Sequence, residues 1–209
     1  MVTTRRSVVD TAGERSELAV DDAGRPKRAD ARRNYERLVA AAREVLAVEG
    51  AEASMEAIAR EAGVGVGTLY RHFPRRIDLV EAVYREDVDE VVRTAEQVVA
   101  ELDPWPAVAE FLRAFVDYGL RKRRFLNELR EAFDKSPDLQ LGSRRRLEGA
   151  MDLVIGRGQR AGVVRTDIDG GDLMQLVGST CSSPTFSEEQ SVRLLPMILD
   201  GLRTPAPRS

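Results

Sequence analysis

Cysteine, histidine and tryptophan each occur once in this chain, at Cys181, His72 and Trp105. A lone cysteine permits no intrachain disulfide and no CxxC pair for metal or redox chemistry, and it fits a reducing compartment, so a cytoplasmic protein is expected. His72 has no second ligand-type side chain four residues away, which argues against a metal site and leaves no histidine pair for acid–base work. Long apolar runs are missing as well. Met1 to Asp22 contain only apolar runs of two or three residues, such as Val8-Val9, too short for the core of a signal peptide, and about eighteen apolar residues never follow one another, so neither export nor a membrane span is expected. GxSxG, Walker and HExxH signatures are also lacking. The expectation is a chain that is not an enzyme, carries no cofactor and holds no metal.

What the sequence does contain is helical periodicity. With 209 residues, 43% of them apolar, the chain can bury the core of one medium domain or two small ones. Residues 1–24 have no apolar period and read as a disordered tail, as do the proline-rich residues 204–209. From Asp30 onward Tyr35, Leu38, Val39, Ala42, Val45 and Leu46 recur at three and four residues, marking a helix that Gly50 ends. A second, short helix carries Met55, Ile58, Ala59 and Ala62, with Ser54 placed to cap it and Gly63 to stop it. A third runs from about Val66 to His72, before Phe73-Pro74. A fourth holds the helical period from Val80 to Leu102, long enough to link two domains, and Pro104-Trp105-Pro106 ends it. Three amphipathic stretches follow, around Val108–Phe115, Phe125–Phe133 and Leu147–Ile155. An eighth helix lies between Gly170-Gly171 and Ser182-Ser183, and a ninth carries Val192, Leu195, Ile198, Leu199 and Leu202. No segment alternates with period two, so the fold class is all-α.

The net charge of −3 argues against a general nucleic-acid binder, but its distribution is uneven. Residues 25–78 hold eleven Lys or Arg against eight acids, a local +3 that leaves −6 for the rest. Within that basic end, residues 54–73 read SMEAIAREAGVGVGTLYRHF. Helix-turn-helix geometry needs a small residue where two helices cross, here Ala59, and a glycine four positions on for the sharp turn, here Gly63. The third helix is poor in apolar residues and presents Thr68, Tyr70, Arg71 and His72, groups able to touch phosphates or base edges.

The run from Arg32 through Tyr84, and above all GVGTLYRHFPRRIDLVEAVY, resembles the DNA-binding domain of tetracycline-repressor-family regulators. The close motif covers about a quarter of the chain, and the order of the helices extends the resemblance over the rest. It implies a three-helix DNA-binding domain at residues 25–78 and a helical effector-binding and dimerisation domain at 79–203. Carried over position by position, it puts Val66, Gly67, Thr68, Tyr70 and His72 in the major groove or on flanking phosphates, Ser54 on a phosphate at a helix N-terminus, and Arg76 on a phosphate where the family usually has lysine. Arg25, Lys27, Arg28 and Arg32 suit an arm along the DNA backbone. Arg75 departs from the pattern, standing where the family tends to have a small capping residue, and Val66 replaces a common polar residue and points to an apolar contact such as a thymine methyl.

The resemblance further implies an effector pocket lined by Trp105, Phe111, Phe115, Tyr118, Phe125, Phe133, Met151 and Ile155, residues that by spacing alone are core candidates, and hence a small apolar or aromatic effector. It implies a homodimer through Leu173, Leu176, Val177, Val192, Leu195, Ile198, Leu199 and Leu202. The expected function is a ligand-responsive repressor of a palindromic, double-stranded operator. The alternatives are an activator, a regulator answering to a protein partner, and a helical interaction module that binds no DNA. Gly63-Val-Gly65-Val-Gly67 and Gly156-Arg-Gly158 superficially match a dinucleotide loop, but no βαβ unit surrounds either. Arg121-Lys122-Arg123-Arg124 and Arg144-Arg145-Arg146 read as solvated helix faces, with recognition of an acidic ligand as the alternative. Cys181, without an activating charge, reads as inert.

Overall fold

The computed structural model describes residues 29–183 and 185–203. The two expected tails, and Arg25, Lys27 and Arg28 of the expected DNA arm, lie outside the described residues. Among those described there are nine α-helices: α1 (Ala29–Glu49), α2 (Met55–Glu61), α3 (Val66–His72), α4 (Arg76–Glu101), α5 (Pro104–Arg123), α6 (Leu126–Lys135), α7 (Pro137–Arg160), α8 (Gly170–Ser182) and α9 (Glu188–Leu202). The described residues include no strand, only an isolated antiparallel bridge between Val164 and Arg203 that fastens the α7–α8 connection to the end of α9.

The helix boundaries follow local chemistry. Ser54 Oγ accepts the Ala57 amide at 3.0 Å and so caps α2, satisfying one of the donors that a helix start leaves free. Gly63 turns the chain with φ +63°, a conformation that only glycine adopts without strain. Arg75 does not cap α4 with its own side chain; instead Asp78, three residues on, accepts the Arg75 amide at 3.0 Å, and the guanidinium folds onto the same carboxylate. An acid at the third helical position thus does the work of the missing small residue. Pro104 does more than end α4: it opens α5 at the first helical position, where its missing N–H leaves nothing unpaired. Pro137 opens α7 in the same way, about ten residues before the periodic stretch around Leu147.

α1, α2 and α3 pack around Leu38, Ala42, Leu46, Ile58, Ala59 and Leu69, each no more than 1% exposed. Phe73 closes this small core, its ring 5.2 Å from that of Tyr35. α4 runs without a break from beneath this unit into the larger bundle, where it packs on α5, α6 and α7. Phe111, Leu112, Leu129, Met151, Val154, Ile155 and Leu173 fill the centre there. A polar seam joins the two parts. Arg43 of α1 sets its Nε 2.7 Å from an Asp87 carboxylate oxygen on α4, out of line for a hydrogen bond, and also pairs with Glu90. Arg124, at the end of α5, donates to the Ala47 carbonyl and to Glu188 at the start of α9, 3.0 Å away.

Candidate DNA-reading face and internal cavity

α3 is anchored by one side and offered by the other. Leu69 is fully buried, whereas Val66 and Tyr70 are 37% and 43% exposed, a large fraction for apolar and aromatic residues. Gly67 lies between them on an open surface where even a Cβ would touch nothing, so a flat surface such as a DNA backbone could approach it closely. Thr68 is half-buried and Arg71 exposed. Ser54 is exposed at the start of α2, and Arg32 is exposed on α1 with Glu36 as a partner at 2.9 Å.

Two residues of the expected set stand differently. Both ring nitrogens of His72 are shielded from solvent without a hydrogen-bond partner, and burial, helped by the Arg71 charge, holds its pKa below the ordinary imidazole value. The inward ring packs against the end of α3, 6.3 Å from the Phe73 ring. Arg76 turns its guanidinium inward, onto the carbonyls of Ala53, Gly50 and Ala51 and onto Glu128 of α6 at 3.3 Å. It ties the turn before α2 to the larger bundle.

The second feature is a cavity of about 310 Å³ in the larger bundle, bounded by α4, α5, α6, α7 and α8 and open to solvent past the exposed Gln140, Arg144 and Gln175. Phe115, Tyr118 and Phe133 of the expected effector residues line it. Phe111, Phe125, Met151 and Ile155 are buried core instead, and Trp105 lies outside the lining with the Arg203 guanidinium 4.4 Å above its ring. Sequence reading missed Tyr84, Lys122, Leu147, Met174 and Cys181 in the wall. The signal was available for α5, where Phe115, Tyr118, Gly119 and Lys122 follow the three-and-four spacing of one face. Gly119 is required there: a Cβ would come within 2.7 Å of the Cys181 Cβ, so glycine lets α5 and α8 approach at the cavity wall. Gln140, Arg144 and Leu147 of α7 and Met174, Gly178 and Cys181 of α8 repeat that spacing, but only packing brings these faces together with Tyr84 and Phe133.

Lys122 also corrects the reading of Arg121–Arg124 as a solvated face. Its ammonium sits over the rings of Tyr84 and Tyr118, 5.8 and 5.9 Å from their centroids, and Arg123 donates to the Phe186 carbonyl at 2.6 Å. Arg144, Arg145 and Arg146 are solvated as expected, with Arg144 paired to Glu148 at 2.8 Å and Arg146 to Asp89 at 2.6 Å. Cys181 is buried, and burial raises its pKa, which keeps the thiol protonated.

The expected dimer residues divide into two groups. Leu173, Val177, Leu195 and Leu202 are buried inside the protomer, while Leu176 and Val192 are 50% and 52% exposed and Ile198 and Leu199 are half-buried beside them. Met197 adds a side chain 69% exposed. Leu176, Met197 and Ile198 line one apolar groove between α8 and α9.

Comparison with known proteins joins these features. Residues 38–83 match the family described as bacterial regulatory proteins, tetR family, and residues 103–204 match the C-terminal domain of SbtR-like transcriptional regulators. A solved TetR transcriptional regulator from Streptomyces coelicolor is 36% identical, with a TM-score of 0.71, over 82% of this chain and 99% of that one. The chain belongs to the TetR family. A second TetR regulator structure, from Mycobacterium vanbaalenii, is 34% identical with a TM-score of 0.65, covering 86% of this chain and all of that one. An HTH-type transcriptional regulator of Staphylococcus aureus strain USA300 is 36% identical over 95 residues, 45% of this chain; the chain spans about half the length of the curated relatives it matches. In this TetR-family chain the first family match thus runs from α1 into α4, and the second takes in α5 to α9. No helix of the described residues is long and apolar enough to cross a membrane.

Proposed function

We propose that this TetR-family protein is a ligand-responsive repressor: a homodimer that binds a palindromic operator through α3 and leaves it when a small molecule fills the cavity of the larger bundle. The observation that carries the reading is the outer face of α3. Val66 and Tyr70 are exposed beyond what packing needs, on a helix whose inner face is locked by Leu69. Val66, Gly67, Thr68 and Tyr70 are assigned to the groove, with Ser54 and Arg32 on the phosphates; His72 and Arg76 support the DNA-binding unit from within. The residue 25–78 and 79–203 division assigns DNA binding and effector response to its two sides, and α4 runs continuously through the boundary.

The apolar residues that α8 and α9 leave partly or largely exposed, Leu176, Val192, Met197, Ile198 and Leu199, are assigned to a two-fold interface, which would set two copies of α3 about one DNA turn, ~34 Å, apart. A ligand that favours another spacing weakens operator binding by linkage, and α4, shared by the cavity and the DNA-binding unit, is the lever. The test is an anisotropy titration of the protein against its own upstream DNA at two salt concentrations, with Tyr70→Ala and Thr68→Ala alongside. Salt-sensitive, sequence-preferring binding that both substitutions weaken while the fold is kept is the expected result. Unchanged affinity in both variants would refute the assignment of α3.

A further inference from the structure

The cavity wall contains an imbalance of charge. Two cations face it, Lys122 and Arg144, and no aspartate or glutamate does. Arg144 is answered at the rim by Glu148, 2.8 Å away. Lys122 is not: it is mostly buried, its ammonium sits over the Tyr84 and Tyr118 rings, and among the described residues no carboxylate forms an ion pair with it. Burial alone lowers its pKa from the ordinary lysine value, with no carboxylate opposing the shift. Asp87, the buried acid whose charge acts on those two tyrosines, is answered by Arg43 and Arg121. Beside Lys122, the Tyr118 hydroxyl is buried next to Tyr84 without an aligned hydrogen bond.

A buried ammonium without a counter-ion disfavours the folded state, and a methionine of similar length would fill the same space without that penalty. Ring faces attract the cation but do not neutralise it. Elsewhere in the wall Phe115, Phe133, Leu147 and Met174 offer apolar contact, and Gln140, Gln175 and Ser179 add neutral polar groups that carry no opposing charge. We infer that the cavity binds a small organic anion, a carboxylate with an aliphatic or aromatic body, whose charged end pairs with Lys122 and whose body lies against Phe115, Phe133, Leu147 and Met174. At about 310 Å³ the space sits at the lower end of small-molecule sites and suits a compact ligand. This inference rests on the cavity being the effector site, and it adds an anionic end to the small apolar or aromatic effector expected from the sequence.

The probes are matched pairs that differ only in charge: octanoate against octanamide, and 4-phenylbutyrate against 4-phenylbutyramide. Calorimetry on the full chain is expected to show the carboxylate of at least one pair binding about tenfold or more tightly than its amide, the gain of a charge-assisted contact. Lys122→Met is expected to abolish that preference while retaining the amide's affinity. Equal binding of acid and amide, a preference that survives Lys122→Met, or no binding of any probe at millimolar concentration overturns the inference. A second readout needs no ligand: Lys122→Met should melt at a higher temperature than the parent at pH 7, and a lower melting temperature would show Lys122 already partnered and would also overturn it. Operator release is read separately. A carboxylate that binds through Lys122 but leaves operator affinity unchanged supports the anion assignment and refutes the effector reading.

Discussion

Breaking the Arg43–Asp87 pair should have unequal consequences depending on which partner is removed. Asp87 is 1% exposed, Arg43 is 27% exposed by its side chain, and Arg43 keeps Glu90 as a second partner. Two charges about 4 Å apart attract by roughly 4 kcal/mol at an effective dielectric near 20, and desolvation of the carboxylate opposes that gain. Arg43→Met leaves a carboxylate enclosed in the protein with Arg121 as the remaining cation acting on it and the like charge of Glu86 opposing it. That substitution should cost about 3 kcal/mol or more, roughly 6–12 °C in melting temperature for a chain of this size. Asp87→Asn keeps the shape of the side chain and leaves a cation that is partly solvated and still paired, so its cost should be about 1 kcal/mol.

The pH dependence gives the same argument a sign. Burial, the largest influence, raises the Asp87 pKa above the ordinary carboxylate value, against the pull of Arg43 and Arg121. In the window just above the ordinary value the folded protein therefore keeps a proton that the unfolded chain has released. Stability falls as pH rises through that window. Without Arg43 the folded pKa rises further, so the deficit of Arg43→Met relative to the parent should shrink on acidification toward the carboxylate range. The assay is urea unfolding of the parent, both single variants and the double variant, followed by circular dichroism at several pH values. An Asp87→Asn cost equal to or larger than that of Arg43→Met, or a pH-independent difference, refutes the reasoning.

Three further outcomes can be checked with the same methods. Ser54→Ala removes the side-chain acceptor of the Ala57 amide and should cost about 1 kcal/mol in urea unfolding, with Ser54→Asp recovering most of it. In α7, Gly142→Ala and Gly149→Ala meet open space and should each stabilise by up to about 1 kcal/mol, whereas Gly158→Ala would drive its Cβ to 2.5 Å from Val164 and should destabilise by roughly 1–2 kcal/mol; melting curves that rank the three otherwise would count against the packing of α7 on the Val164 segment. Leu176→Glu with Val192→Glu should turn a dimer into a monomer on sedimentation analysis and weaken operator binding, and a dimer that persists would move the interface elsewhere.

Much of the fold was legible because helices are local objects. The recurrence of Leu38, Ala42 and Leu46, the cap at Ser54 and the stop at Gly63 each act within a turn or two, so α1, α2 and α3 could be placed from neighbouring residues alone. The resemblance of GVGTLYRHFPRRIDLVEAVY then supplied the role of α3. The boundaries of α5 and α7 were less legible, since a proline that ends one helix also suits the first turn of the next, and only packing decides how far the helix reaches. Arg75 shows the same limit on a smaller scale: the residue itself was no cap, and its replacement, Asp78, lay three positions away.

The sequence alone determined the class of the molecule: an all-helical chain with a helix-turn-helix at its basic end and apolar stripes on every later helix. Which of those stripes became core, cavity or exposed surface was decided by tertiary structure. Phe111 and Phe115 share a period, yet only Phe115 reaches the cavity; Leu173 and Leu176 share a helix, yet one is buried and the other half exposed. Periodicity records that a face is apolar and not what lies opposite it. The same holds for charge, because Arg76 and Lys122 look like surface cations until α6 brings Glu128 to the first and the aromatic walls of α4 and α5 enclose the second.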